Sequence, residues 1–177
     1  MTKPLWAPWR LEYIKQAGEQ ADCVFCEEAA GNLAEDATLL VSARETAFAI
    51  LNKYPYSSGH LMIAPRRHVG ALADLVPDET LEIHRLSVAC MDVLGQVYGP
   101  AGFNLGWNVG HVAGAGIVDH VHLHVVPRWS GDTNFMPVLA DVKVLPEHLL
   151  ETRDRLRAAW GDAAAGRCSS RPCEADA

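Results

Sequence analysis

Five short stretches of the chain alternate or run apolar in the manner of β-strands: Thr38–Ser42, Ala47–Asn52, His60–Ala64, Phe103–Asn108 and His120–Pro127. A shorter candidate lies at Val142–Val144. Between the third and fourth the period changes. Ile83, Leu86, Cys90, Val93, Leu94 and Val97 recur at spacings of three and four, which draws one apolar stripe along a helix from Asp78 to Tyr98. Pro77, Asp78 and Glu79 suit its first turn, where a missing N–H costs nothing and negative charge meets the helix dipole; Gly99-Pro100 suits its end. A second helix is predicted from Pro146 to Trp160, with Leu149, Leu156 and Trp160 turned inward. From Gly161 onward the sequence is small and polar without periodicity, which predicts a disordered tail over 161–177 after a single domain over 1–160. Short-turned strands with one long helix inserted late point to an antiparallel sheet in an α+β fold, and the regular βαβ alternation of a Rossmann-like fold is absent.

Composition narrows the partners more than the fold. The chain has 177 residues, enough for one domain with a real core, and 49% of them are hydrophobic. Lys plus Arg is 15 and Asp plus Glu is 22, so the formal charge is 15 − 22 = −7. Such a chain has no general attraction for nucleic acid or anionic membrane, and any polyanion must meet a local basic site. No apolar run approaches the ~20 residues that span a bilayer. The N-terminal MTKPLWAPWRLEYI lacks the apolar core and cleavage site of a secretory signal, so a cytoplasmic location is expected. Five cysteines, an odd and unevenly spaced set, fit a reducing compartment better than a disulfide framework. Cys90, inside the helical stripe, reads as a buried small hydrophobe.

The most informative segment is Asp119-His-Val-His-Leu-His-Val-Val-Pro-Arg128. On a strand, successive side chains face opposite ways. His120, His122 and His124 would then line one face, about 7 Å between second neighbours, while Val121, Leu123 and Val125 enter the core. Just upstream, Asn108-Val-Gly-His111-Val-Ala-Gly114-Ala-Gly116 is dense in glycine, whose exposed amides can hold phosphate oxygens. Lys53, Arg66, Arg67 and Arg128 offer local positive charge. Three histidines in strict alternation exceed what packing demands. The rival reading is a metal site of the cupin type, but no nearby Glu completes that set. His84 and His148 read as surface residues, and His111 as loop surface or site rim. Cys23-Val-Phe-Cys26 can place two thiolates on one metal, or be redox-active, or be incidental; with no second C-x-x-C, further ligands would have to be histidines.

His120 through Val126 match all seven positions of the His-φ-His-φ-His-φ-φ signature, φ being apolar, and the chain resembles the histidine-triad (HIT) family. Asn52-Lys-Tyr-Pro-Tyr-Ser-Ser-Gly59-His60 is similar to the family segment that opens on a ribose-binding residue and ends in Gly-His, and the resemblance runs from about Cys23 to Val144. It implies a five-stranded antiparallel sheet with helices, a homodimer, and transfer or hydrolysis at the α-phosphate of a nucleotide. His122 matches the nucleophilic histidine, His124 and His60 match histidines flanking the phosphate, and Asn52 matches the ribose position. Asn108 matches an amide residue on the phosphate, and Gly114, Gly116 and Arg128 are further candidate phosphate contacts. Zinc-bearing members use a Cys-x-x-Cys with two histidines, which implies a structural zinc on Cys23, Cys26, His68 and His120, with no organic cofactor. Gly116 and Ile117 stand where hydrolase branches carry Gln with Ser or Thr. Arg128-Trp129 through Met136, with Ala7-Pro-Trp9-Arg10, resembles the diadenosine tetraphosphate phosphorylase (ATP adenylyltransferase) branch. The resemblance therefore favours phosphorolysis of an adenine dinucleotide, with inorganic phosphate or water as acceptor. A phosphoramidate or nucleotide hydrolase and a non-enzymatic nucleotide- or zinc-binding protein remain the alternatives.

Overall fold

The computed structural model describes residues 23–30, 38–132 and 147–165. The elements in order are α1 (Val24–Ala30), β1 (Leu40–Ala43), β2 (Ala47–Leu51), β3 (Leu61–Pro65), α2 (Pro77–Tyr98), β4 (Gly102–Trp107), β5 (Leu123–Arg128) and α3 (Leu149–Ala165). The strands form one sheet in the order β1-β2-β3-β5-β4, every neighbouring pair antiparallel. The α2 crossover sets β4 two strand positions from β3, and β5 returns to fill the place between them.

Each face of the sheet has its own apolar cluster, which is why Ala47–Leu51 is buried at every position. On one face Ala49, Leu51, Leu61, Ile63, Leu123 and Val125 meet α2 and α3 through Ile83, Leu86, Cys90, Val93, Leu94 and Leu156, with Trp160 and Val97 at the margin. On the other face Leu40, Phe48, Ile50 and Ala64 meet Phe25 of α1. Burial of each large side chain contributes roughly 1.5–3 kcal/mol. Glu79 accepts the Val76 N–H at the start of α2 (3.0 Å) and pairs with Arg67 (2.8 Å). The Arg67 hydrogen bond holds the Glu79 carboxyl below the ordinary carboxylate range.

The element boundaries depart from the sequence pattern for local reasons. Thr38 Oγ1 accepts the Leu40 N–H (3.1 Å), so β1 starts at Leu40 rather than at Thr38. The His60 N–H closes a turn onto Ser57 O (3.1 Å), so β3 starts at Leu61. Val121 N–H leaves the ladder for Val69 O (2.8 Å), so β5 starts at Leu123 and only His124 of the three alternating histidines lies on a strand. The expectation of one long strand displaying all three is thus corrected. α3 runs past Gly161 to Ala165, so the boundary expected at Gly161 falls inside a helix, where three consecutive alanines favour continuation. The candidate strand at Val142–Val144, the Trp9 segment, Asn134–Met136 and residues 166–177 with Cys168 and Cys173 lie outside the described residues.

Candidate active site and metal centre

Glycine delivers the first histidine. Gly59 adopts φ 74°, and a Cβ there would stand 2.7 Å from Leu94 Cδ2 on α2, so only glycine lets the chain turn His60 inward at this point. His60 is fully buried (0% exposed). Its Nδ1 accepts the Tyr56 backbone N–H at 3.0 Å, with Asn52 Nδ2 3.4 Å away. A nitrogen that accepts a backbone N–H carries no proton, so neutral His60 holds its hydrogen on Nε2. That hydrogen points to His124 Nδ1 at 3.0 Å. His124 must then carry its own hydrogen on Nε2, which lies 3.3 Å from Asn108 Nδ2; two donors cannot bond, so this tautomer requires the Asn108 amide turned to set its oxygen there. One backbone constraint, the Tyr56 N–H, therefore passes through His60 to fix which nitrogen of His124 is a donor. Tyr56 packs over both rings, with centroids 4.6 Å from His60 and 5.8 Å from His124.

His122 stands beside this pair, its ring centroid 4.9 Å from that of His124. His122 Nδ1 lies 2.9 Å from the His120 carbonyl oxygen. A carbonyl only accepts, so Nδ1 bears the hydrogen and Nε2 the lone pair. Burial lowers the pKa of His122, against the opposing effect of that hydrogen bond, and keeps the ring neutral. A neutral imidazole with an oriented Nε2 lone pair can attack an electrophilic phosphorus.

His120 uses its nitrogens the other way round. Its Nε2 donates to Pro65 O (2.8 Å), leaving Nδ1 to face Cys23 Sγ at 3.3 Å and Cys26 Sγ at 3.7 Å. His68 Nδ1 lies 3.3 Å from Cys26 Sγ, and the four ligand atoms all fall within 4.8 Å of one another. Tetrahedral bonds of about 2.0–2.3 Å to nitrogen and sulfur give edges of about 3.3–3.8 Å, so the set suits a four-coordinate metal without an open position. The Pro65 carbonyl supplies the outer hydrogen bond that such a histidine ligand uses to hold its tautomer.

The other candidates are less closely drawn in. Asn52 and Asn108 reach the histidine cluster directly. The amides of Gly114 and Ala115 turn away to His111 O (2.9 Å) and Gly110 O (3.3 Å), so the Gly114 amide is engaged within its own turn. Gly116 lies half-buried in the segment that leads into His120, and His111 is exposed. Arg128, at the far end of β5 from His122, pairs with Asp132 (2.5 Å) and Asn104 (2.8 Å) and is not gathered into the cluster. Arg66 ties Ala29 O (2.7 Å) to Arg44 O (2.8 Å), a link between α1 and the β1–β2 turn. Phe25 and Tyr56 touch the site rings, yet nothing in their sequence positions singles them out beyond nearness to Cys23, Cys26 and His60.

An α+β sheet that sets an oriented imidazole cluster beside a thiol–imidazole donor set able to hold a four-coordinate metal defines a class of protein equipped for histidine chemistry. The HIT domain family model matches residues 34–131. The chain belongs to that family. It is 37% identical over 162 residues to the AP-4-A phosphorylase of Mycobacterium tuberculosis, covering 88% of this chain and 83% of that protein. A shorter match, 33% identical over 84 residues, covers 48% of this chain and 46% of the asymmetrical bis(5'-nucleosyl)-tetraphosphatase of Schizosaccharomyces pombe. A zinc-bound histidine-triad family protein from Mycobacterium smegmatis shares the fold with TM-score 0.66 and 25% identity, covering 82% of this chain and 98% of that one. Among the described residues no helix is long and apolar enough to cross a membrane.

Proposed function

We propose that the protein is a nucleotidyltransferase that cleaves a dinucleoside polyphosphate, diadenosine tetraphosphate in the first instance, with inorganic phosphate as the preferred acceptor. The observation that carries this reading is the His122 hydrogen bond to the His120 carbonyl, which presents Nε2 beside His124. In the first step Nε2 forms a bond to the α-phosphorus, the bond from phosphorus to the bridging oxygen breaks, and ATP leaves with that oxygen. The Asn108 amide N–H, and His124 Nε2–H once substrate replaces its Asn108 contact, stabilise charge on the phosphoryl oxygens. In the second step a phosphate oxygen attacks the same phosphorus, releases the imidazole and gives ADP. The 37% identity to an AP-4-A phosphorylase supports this substrate class. The lack of a polar side chain at Gly116 and Ile117 supports an anionic acceptor over a water that such a side chain would hold. Asn52, beside His60, is proposed to meet the ribose.

Zinc is the metal proposed for Cys23, Cys26, His68 and His120; when bound it cross-links α1 to the β3 exit and to the segment before β5, and takes no part in the bond changes. Two copies are proposed to associate through the outer edge of β4 and the segment that follows it, where Leu105, and then Val109 and Val112, are exposed. With isotopically labelled phosphate and diadenosine tetraphosphate, the label appears in ADP and the rate rises with phosphate. ATP and AMP formed at a rate indifferent to phosphate would make the protein a hydrolase, and no product would leave a binding protein.

A further inference from the structure

The metal-type centre and the nucleophile are joined by more than the chain between His120 and His122. Phe25 lies between the two cysteines and is 1% exposed. Its ring centroid is 4.8 Å from His122 and 5.2 Å from His120, the latter contact edge-on at 62°. It therefore packs on the His122 ring, as His124 does at 4.9 Å. The backbone of Phe25 is fixed at both ends. The Cys26 N–H closes a turn onto Cys23 O (2.9 Å), and both thiols face the His120 ring.

An imidazole can rotate about χ2, and a single hydrogen bond of ordinary strength does not stop it from losing its carbonyl partner. Two further rings packed on it, at 4.8 and 4.9 Å between centroids, do. We propose that Phe25 is a positioning residue: it clamps the His122 ring so that Nδ1 stays on the His120 carbonyl and Nε2 stays aimed at substrate, and the Cys23–Cys26 turn holds Phe25 in that place. This rests on the reading of His122 as the nucleophile. Its consequence is that loss of the metal cross-link reaches turnover through a phenyl ring, and does so before the fold is lost.

The test is Phe25→Leu, which keeps an apolar side chain but removes the flat wall, compared with Leu40→Val in the same apolar cluster. Neutral histidine tautomers are read by nitrogen NMR on ¹⁵N-histidine-labelled protein, together with kcat and KM for diadenosine tetraphosphate plus phosphate. In the parent protein His122 gives the single Nδ1–H tautomer. In Phe25→Leu both tautomers are expected, with kcat down about 10-fold or more and KM within about threefold, the scale of a sub-ångström misplacement. Leu40→Val, matched as a packing loss, leaves the His122 tautomer and kcat unchanged. Removing metal from the parent protein at a temperature where it stays folded produces the same tautomer mixing, and restoring metal reverses it. A single Nδ1–H tautomer with unchanged kcat in Phe25→Leu overturns the proposal, as does a rise in KM alone, which would make Phe25 a binding residue. If Phe25→Leu mixes the tautomers while the parent protein turns over no dinucleotide, the clamp stands and the functional reading falls.

Discussion

His120 and His122 are two residues apart, both buried, and opposite in tautomer. His120 gives its Nε2 hydrogen to Pro65 O and turns Nδ1 towards two sulfurs; His122 gives its Nδ1 hydrogen to His120 O and keeps the Nε2 lone pair free. Burial lowers the pKa of both, so neither differs from the other by charge. The difference lies in which ring nitrogen finds a backbone carbonyl. A carbonyl on the far nitrogen leaves the free lone pair near the backbone, where it suits a ligand; a carbonyl on the near nitrogen leaves it at the ring's tip, where it suits a nucleophile.

The sharpest break in that comparison comes from His122→Asn, which keeps a polar side chain but no imidazole. Turnover is expected to fall at least about 10⁴-fold while the protein keeps its metal and unfolds within a few degrees of the parent. Near-normal turnover would remove His122 from the chemistry. Cys23→Ser strikes the other centre. Metal analysis should drop from close to one equivalent per chain, and the melting temperature should fall by about 10 °C, the scale of several kcal/mol for a domain of this size. An unchanged melting curve would show that the donor set braces nothing.

His60→Gln asks whether a fully buried residue acts at a distance. Gln cannot both accept the Tyr56 N–H and present an N–H to His124 from the same place, so the His124 tautomer loosens. A fall in kcat of about 10²-fold with KM little changed is expected; a rise in KM alone would place His60 against the substrate. The smallest effect belongs to a support outside both centres. Glu79 is held below its ordinary carboxylate value of 4.5, first by the Arg67 hydrogen bond. Its contribution is therefore complete above that value and is lost as pH falls through the lower, folded value. Because Arg67 is half exposed, solvent screening limits this to about 1 kcal/mol. Glu79→Gln should thus be slightly less stable than the parent at pH 7 and converge with it in acid, with kcat unchanged at both; a gap that widens in acid would reverse the sign.

Much of the architecture was written locally. The three-and-four spacing from Ile83 to Val97 needs no partner to define a helix with one apolar stripe, and five of its six positions are buried as that stripe requires. The alternation in Val121 to Val125 likewise specified which side chains enter the core, and the seven-position histidine pattern with Gly59-His60 identified the family. What the sequence left undetermined depends on contacts between distant segments. Helix α1 is seven residues long, too short to be stable by itself, and exists because Phe25 finds the cluster of Phe48, Ile50 and Ala64. The strand boundary at Leu123 is set by Val69, more than fifty residues away, which takes the Val121 N–H and frees His120 to turn towards the cysteines. No period or spacing encodes which nitrogen of each histidine carries the hydrogen. Those assignments come from carbonyls and amides that the folded chain holds within 3 Å, and they leave opposite ring nitrogens free on His120 and His122 within one tripeptide.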